Sequence, residues 1–309
     1  MSYKKLFAAL LFVALSLSCR NTFAQEEDTT FSDNPFKDDK EEFKFDTDDF
    51  NYDVGEFLGT PAINLVYGFS KMKIDKVDAG FAKTNAVGVK IGYLSENMKD
   101  AGKNISKYKF RYFSVYNISN DLTNDTKYSG DIRTRMWQFG FGSESGYGYK
   151  FNNFSITPYY GYGINWSRVD FLDPVKDLNE KAVYDADYID YFDKSFRFGT
   201  HMESGLKIKL FRNLAVDASY RKEIVMPRVL FWKASGSALI ECAGIWGIDE
   251  FVHRVFESTP VAAPIVNFVL KNALSYGIYE LRKEKMSWPF DSSAPLTYNT
   301  FNVGVTFIL

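Results

Sequence analysis

Apolar and polar residues alternate with a period of two along most of the chain after Pro61. Such alternation is typical of β-strands that have one apolar face. It divides into segments long enough to cross a hydrocarbon layer as tilted strands, which takes about 9–11 residues. The segments lie at residues 61–74, 84–96, 106–119, 134–151, 155–170, 196–211, 214–225 and 297–309. The pattern therefore predicts an all-β protein with about eight strands.

The two faces of each predicted strand differ in charge. In the third strand the apolar face carries Tyr108, Phe110 and Tyr112. Lys109 and Arg111 lie on its opposite face. A lysine or arginine that faces lipid at the middle of a bilayer costs about 2–4 kcal/mol, so we expect the charged faces to point inward and the apolar faces to point to lipid. A soluble β-sandwich is the alternative, because its core faces are also apolar.

Charged residues on the inward faces are expected to meet inside the barrel. An eight-stranded barrel has an interior just wide enough for side chains, so these charges must pair or be hydrated there. The predicted lumen network consists of Lys90, Lys109, Arg111, Glu144, Glu203, Lys207, Lys209, Asp217 and Arg221. We therefore expect a lumen plugged by ion pairs, with a narrow small-solute channel as the alternative.

The connections between the predicted strands are of two kinds. Residues 151–154 and 211–214 form tight turns, whereas 120–133, 171–195 and 226–296 are long. Transmembrane barrels have short turns on one side of the membrane and long loops on the other. The spacing therefore favours an antiparallel up-and-down β-barrel over residues 61–309.

Residues 229–285 depart from the period of two. Ile245, Ile248 and Val252 recur at helical spacing, and a second helical pattern follows the break at 258–260. The segment predicts a helical hairpin inserted before the last strand. A pair of helices cannot fit inside an eight-stranded lumen, so it must cover a mouth, lie against the wall, or bind a partner.

The first residues have the features of a secretory signal peptide. Lys4 and Lys5 precede an apolar run, and Ala24 ends a small-x-Ala site, which predicts a cleaved signal peptide over residues 1–24. Lipidation of Cys19 is the alternative. Residues 25–60 are acidic with spaced phenylalanines, which predicts a disordered periplasmic segment, or alternatively a peptide that docks on a protein partner.

Charge and composition narrow the class of protein. A net charge of −2 offers no cationic surface for nucleic acid. The aromatic content is 17%, whereas the mean hydropathy of −0.24 is too polar for a bundle of membrane helices. Cys19 and Cys242 are the two cysteines, so no disulfide framework is expected in the mature chain.

His201 and Glu203 share a strand face and are the weak catalytic candidates. A histidine oriented by a carboxylate could activate a hydroxyl nucleophile, as an outer-membrane lipid hydrolase requires. Ser204 lies on the face opposite to His201, and no other serine is indicated as a nucleophile. A hydrolase therefore remains the alternative, an enzyme is not favoured, and we expect neither cofactor nor metal.

The last eight residues carry a resemblance. Asn302, Gly304, Phe307 and Leu309 resemble the C-terminal sorting signal of outer-membrane barrels, although that signal usually ends in an aromatic residue. With the alternation over 61–309, the chain resembles the small eight-stranded outer-membrane β-barrel family of Gram-negative bacteria. The resemblance implies location in the outer membrane, contact with its lipid, insertion by the barrel assembly machinery, and a structural or binding role.

Overall fold

The computed structural model describes residues 59–78, 80–98, 104–122, 132–172 and 180–309. The predicted signal peptide, Cys19 and residues 25–58 of the acidic segment lie outside these residues.

Eight antiparallel strands close into a barrel, as the alternation predicts. The strands are β1 (Thr60–Ile74), β2 (Thr84–Met98), β3 (Ile105–Ser119), β4 (Thr134–Lys150), β5 (Ser155–Phe171), β6 (Phe196–Phe211), β7 (Leu214–Val225) and β8 (Leu296–Ile308). Each pairs with its neighbours in sequence order, and β8 pairs with β1. The predicted bounds agree with these to within two residues.

Helices occur only in the connections, among the residues that the structure describes. A 3₁₀ turn covers Asn120–Leu122, and α1 (Glu180–Asp190) lies between β5 and β6. Helices α2 (Phe231–Ser258) and α3 (Ala263–Glu284) lie between β7 and β8 and form the predicted hairpin, which we call the helical hairpin. On mean hydropathy, no described helix is long and apolar enough to cross a membrane.

The two ends of the barrel differ in their connections. One end, which we call the turn rim, carries the tight turns at 151–154 and 212–213 and the C-terminal Leu309. The other end, the loop rim, carries the long connections at 75–83, 120–133, 172–195 and 226–295. The helical hairpin therefore leaves and rejoins the barrel at the loop rim.

The outer wall exposes a belt of large apolar side chains. Leu65, Ile91, Phe141 and Val303 are each at least half exposed, although they lie within regular strands. A folded chain in water rarely leaves a contiguous apolar surface of this extent uncovered. The belt therefore has the chemistry of a surface that contacts hydrocarbon.

The helical hairpin lies against the outside of this wall. Near the turn rim Val252 and Phe256 of α2 pack with Ile105 of β3. Near the loop rim Tyr279 of α3 packs with Ile224 of β7. The two clusters hold the hairpin along the wall rather than over a mouth, while its binding to a partner stays a prediction.

Replacement of Phe141 by lysine tests the belt. Phe141→Lys should lower the free energy of unfolding in lipid vesicles by about 2–4 kcal/mol, because the charge would face hydrocarbon. Phe151→Lys is the matched control, since Phe151 lies in the tight turn and should lose about 0–1 kcal/mol. Each variant loses one ring contact, Phe113 at 5.3 Å or Phe154 at 4.7 Å, so the difference reports position. Equal losses in urea titrations would contradict the belt.

Candidate functional site

A lysine at the centre of the lumen joins three strands that are not neighbours. Lys90 of β2 places its Nζ 2.8 Å from Oε1 of Glu144 on β4 and 2.9 Å from Oε2 of Glu203 on β6. All three side chains are about 1% exposed, so the ion pairs are shielded from water. Removal of one partner from such a pair leaves an uncompensated buried charge, which costs about 3–5 kcal/mol.

A second lysine extends the network toward the turn rim. The Nζ of Lys207 lies 3.1 Å from Glu144 and 3.7 Å from Asp217. Asp217 also accepts a hydrogen bond of 2.8 Å from Asn64 on β1. Glu144 accepts a further 2.8 Å hydrogen bond from the hydroxyl of Tyr108. Both Lys90 and Lys207 are thus bound to Glu144, which is the shared anion of the network.

A third layer lies toward the loop rim. The guanidinium of Arg221 approaches Glu223 to 2.6 Å and stacks over the ring of Tyr116 at 4.6 Å. Glu223 accepts hydrogen bonds from Gln138, Asn165 and Tyr298. This layer brings β3, β4, β5, β7 and β8 together across the lumen.

Apolar and aromatic side chains fill the lumen on both sides of the charged layers. Toward the loop rim, Val77 and Phe81 from the first loop and Phe192 from the region after α1 join a buried cluster with residues of the strands. Toward the turn rim, Phe110 and Tyr159 belong to a second cluster. The described part of the lumen is therefore packed along its whole length.

Most of the predicted lumen charges lie inside the barrel. Lys90, Glu144, Glu203, Lys207, Asp217 and Arg221 are buried there. Lys209 lies at the mouth of the turn rim, where it is partly exposed and pairs with Glu96 at 2.7 Å.

The predicted orientation of β3 is wrong. Lys109 and Arg111 are half-buried on the outer wall, whereas Tyr108, Phe110 and Tyr112 point inward. The register shows why, because Ser114 of β3 lies opposite the inward-facing Lys90 and shares its face with Tyr112. The tyrosines provide hydroxyl groups to lumen residues, with Tyr112 3.2 Å from Nε2 of His201. The expectation that the charged faces point inward is therefore wrong for this strand.

No hydrogen bond joins His201 to Glu203 within the described residues, although both lie on the inward face of β6. Nε2 of His201 faces the hydroxyl of Tyr112, and its Nδ1 has no hydrogen-bond partner among the residues that the structure describes. Glu203 instead binds Lys90 and accepts a hydrogen bond of 2.6 Å from Ser219. Ser204 lies outside and hydrogen-bonds Asn272 of α3. The geometry thus separates the acid, the base and the nucleophile that a hydrolase requires.

The residues of the predicted sorting signal occupy both faces of β8. Asn302 is buried in the lumen, Phe307 is exposed on the wall, and Leu309 ends the chain at the turn rim. A Cβ atom at Gly304 would lie 2.7 Å from Asp217, so this glycine makes room for the charged layer. A role in sorting remains a prediction from the resemblance.

Sequence reasoning missed several members of the network. Glu223 was identifiable, because it lies at an even spacing from Asp217 and Arg221, and residues at even spacings share one face of a strand. The other missed residues are uncharged, so no charge marked them as members of the network: Gln138, Asn165 and Tyr298. No group of three acidic, histidine or cysteine side chains that could hold a metal ion occurs within the described ranges.

No family model and no curated relative matches the chain. Similar solved structures include Neisserial surface protein A, at 10% identity and a TM-score of 0.36, over 81% of this chain and 97% of that one. Another is Ail, the attachment invasion locus protein of Yersinia pestis, at 10% identity and a TM-score of 0.33, over 82% and 99%.

A third similar structure is the outer membrane protein OprG of Pseudomonas aeruginosa, at 10% identity and a TM-score of 0.27, over 82% of this chain and 98% of that one. Because the identities and TM-scores are this low, the assignment of the fold depends on this chain's own strand pairing and surface. A closed antiparallel barrel of eight strands with an apolar outer belt is the architecture of the small outer-membrane β-barrels.

Proposed function

We propose that the protein is a sealed barrel of the Gram-negative outer membrane with a structural or binding role. The observation that carries this proposal is the ion-pair network centred on Lys90, which connects β2, β4 and β6 through the middle of the lumen. A water-filled pore would require these buried side chains to separate. The packed clusters on either side of the network support the same conclusion.

The two rims support an orientation in the membrane. In outer-membrane barrels the short turns lie on the periplasmic side and the long loops lie outside. The turn rim would then face the periplasm, and the loop rim with α1 would face the exterior. Binding to a partner would therefore use the long loops, the helical hairpin, or the acidic segment on the periplasmic side.

The alternatives receive less support from the geometry. His201 is buried, faces Tyr112, and has no contact with the carboxylate of Glu203 that the hydrolase hypothesis needs. A channel would need a continuous polar path, whereas the lumen contains a large apolar cluster at the loop rim.

Conductance measurements test the sealed lumen directly. The full-length protein in planar lipid bilayers should show no stable open level, while a general porin under the same conditions provides the positive control. Heat-dependent mobility on gels confirms that the inserted chain is folded. A reproducible open level from the folded protein would reject the proposal of a sealed barrel.

Loss of an ion pair at the centre of the lumen should destabilise the barrel more than loss of one at its mouth. Lys90→Met should lower the free energy of unfolding by about 3–5 kcal/mol, because Glu144 and Glu203 lose their shared cation. Lys209→Met is the control, since its pair with Glu96 is partly exposed and should contribute about 0–1 kcal/mol. Urea titration in lipid vesicles measures both. Losses of the same size would mean that the central pairs do not hold the lumen closed.

A further inference from the structure

The helical hairpin has the opposite polarity to a helix pair on a water-soluble protein. Its exposed side chains include Trp232, Leu239, Ile240, Trp246, Ile265, Val269, Tyr276 and Leu281. Its buried side chains are of both kinds, since the polar Ser237, Asn267, Lys271 and Arg282 lie among apolar residues such as Val252, Phe256 and Tyr279. A surface helix in water buries its apolar stripe and exposes its polar one. The hairpin thus exposes large apolar side chains while it buries several polar and charged ones.

Polar side chains of α3 contact the barrel wall. Lys271 places its Nζ 2.8 Å from the hydroxyl of Tyr160 on β5, and Asn272 hydrogen-bonds Ser204 on β6. Tyr160 and Ser204 occupy outward positions on their strands, where the uncovered wall carries the apolar belt. The hairpin therefore covers a polar strip on the outside of the barrel.

A third polar contact lies closer to the loop rim. Lys222 of β7 approaches Glu280 of α3 to 3.3 Å and lies 3.6 Å from the centre of the Tyr276 ring. Lys222 also occupies an outward position, because its neighbours Arg221 and Glu223 point into the lumen. Because α3 covers this outward lysine, the ammonium group contacts a carboxylate and an aromatic ring instead of hydrocarbon.

Two ion pairs between the helices neutralise the charges that interrupt their apolar sequences. Asp249 of α2 pairs with Lys271 of α3, and Glu241 pairs with Arg282 at 3.0 Å. Paired across the hairpin, they contribute less to an unfavourable transfer into lipid than isolated charges do.

The exposed side chains of α2 change from apolar to mostly polar at Asp249. Exposed residues from Trp232 to Gly247 are all apolar or glycine, whereas those beyond Asp249 are mostly polar or charged, with Glu250, His253, Arg254 and Glu257 beside the apolar Phe251. From Trp232 to Ile248 the helix rises about 25 Å. This matches the height of the apolar band of outer-membrane barrels, about 25 Å. The charged end of α2 lies toward the turn rim.

We propose that the outward face of the helical hairpin contacts the acyl chains of the bilayer, so that the barrel crosses the outer membrane with two helices attached to its wall. The inference rests on the proposed outer-membrane location of the barrel. Lipid is the occupant because the hairpin lies on the wall between the two rims, continuous with the belt. A protein partner would have to reach this face within the hydrocarbon layer.

Quenching by brominated phosphatidylcholine tests this contact. Two variants of the full chain each retain one tryptophan, either Trp246 on α2 or Trp137 on the belt of β4, with the other tryptophans changed to phenylalanine. Both retained side chains are more than half exposed. In vesicles with brominated acyl chains, Trp246 should lose a fraction of its fluorescence similar to that lost by Trp137, relative to unbrominated lipid.

The Trp137 variant separates the two proposals. Quenching of Trp137 without quenching of Trp246 would reject the lipid contact of the hairpin and leave the membrane barrel intact. Protection of both would reject the outer-membrane barrel itself. Protection of Trp246 together with a dimer in light scattering would identify a second copy as the occupant of this face, which also rejects the lipid contact.

Spin labels supply a second measurement that keeps all tryptophans. Leu239→Cys and His253→Cys, each in a chain whose native cysteines are changed to serine, report opposite sides of Asp249. The label at 239 should be more accessible to oxygen than to a water-soluble nickel complex, and the label at 253 should show the reverse. Equal water accessibility at both positions would overturn the inference.

Discussion

The narrow lumen imposes the constraint on which the rest of the barrel depends: every ionised side chain inside must meet an opposite charge. Lys90 satisfies this by binding carboxylates from β4 and β6, and Glu144 also binds Lys207. Because the side-chain period of a strand is two, fixing one inward residue fixes the face of the whole strand. The charged layers therefore determine which residues remain for the outside.

The strands and the barrel could be predicted from the sequence because a period of two over long segments is a strong signal. The face of β3 could not, since both of its faces are amphipathic. Tyr108 and Tyr112 have apolar rings that suit lipid, but their hydroxyl groups bind Glu144 and His201 in the lumen. Lys109 and Arg111 have long apolar stems that allow their charges to reach away from the wall.

The position of the helical hairpin also lay beyond the sequence. Helical spacing predicted both helices, but the ion pair between Lys271 and Asp249 is a tertiary contact that helical spacing does not reveal. Ser204 and Lys222 are polar residues at outward strand positions, where they contact Asn272 and Glu280 of α3. Apparent exceptions to the alternation on β6 and β7 thus mark where the wall carries a second layer.

The hydrogen bonds around Asp217 connect the closing seam of the barrel to the charged interior. Asn64 of β1 donates to Asp217 of β7 at 2.8 Å and to Thr306 of β8 at 2.7 Å, so the first and last strands complete the surroundings of one buried carboxylate. A sheet that had not yet joined β8 to β1 would leave this anion short of its donors. Pairing of β8 with β1 is therefore coupled to hydrogen bonding of the buried Asp217 carboxylate, which disfavours a barrel that is only partly closed.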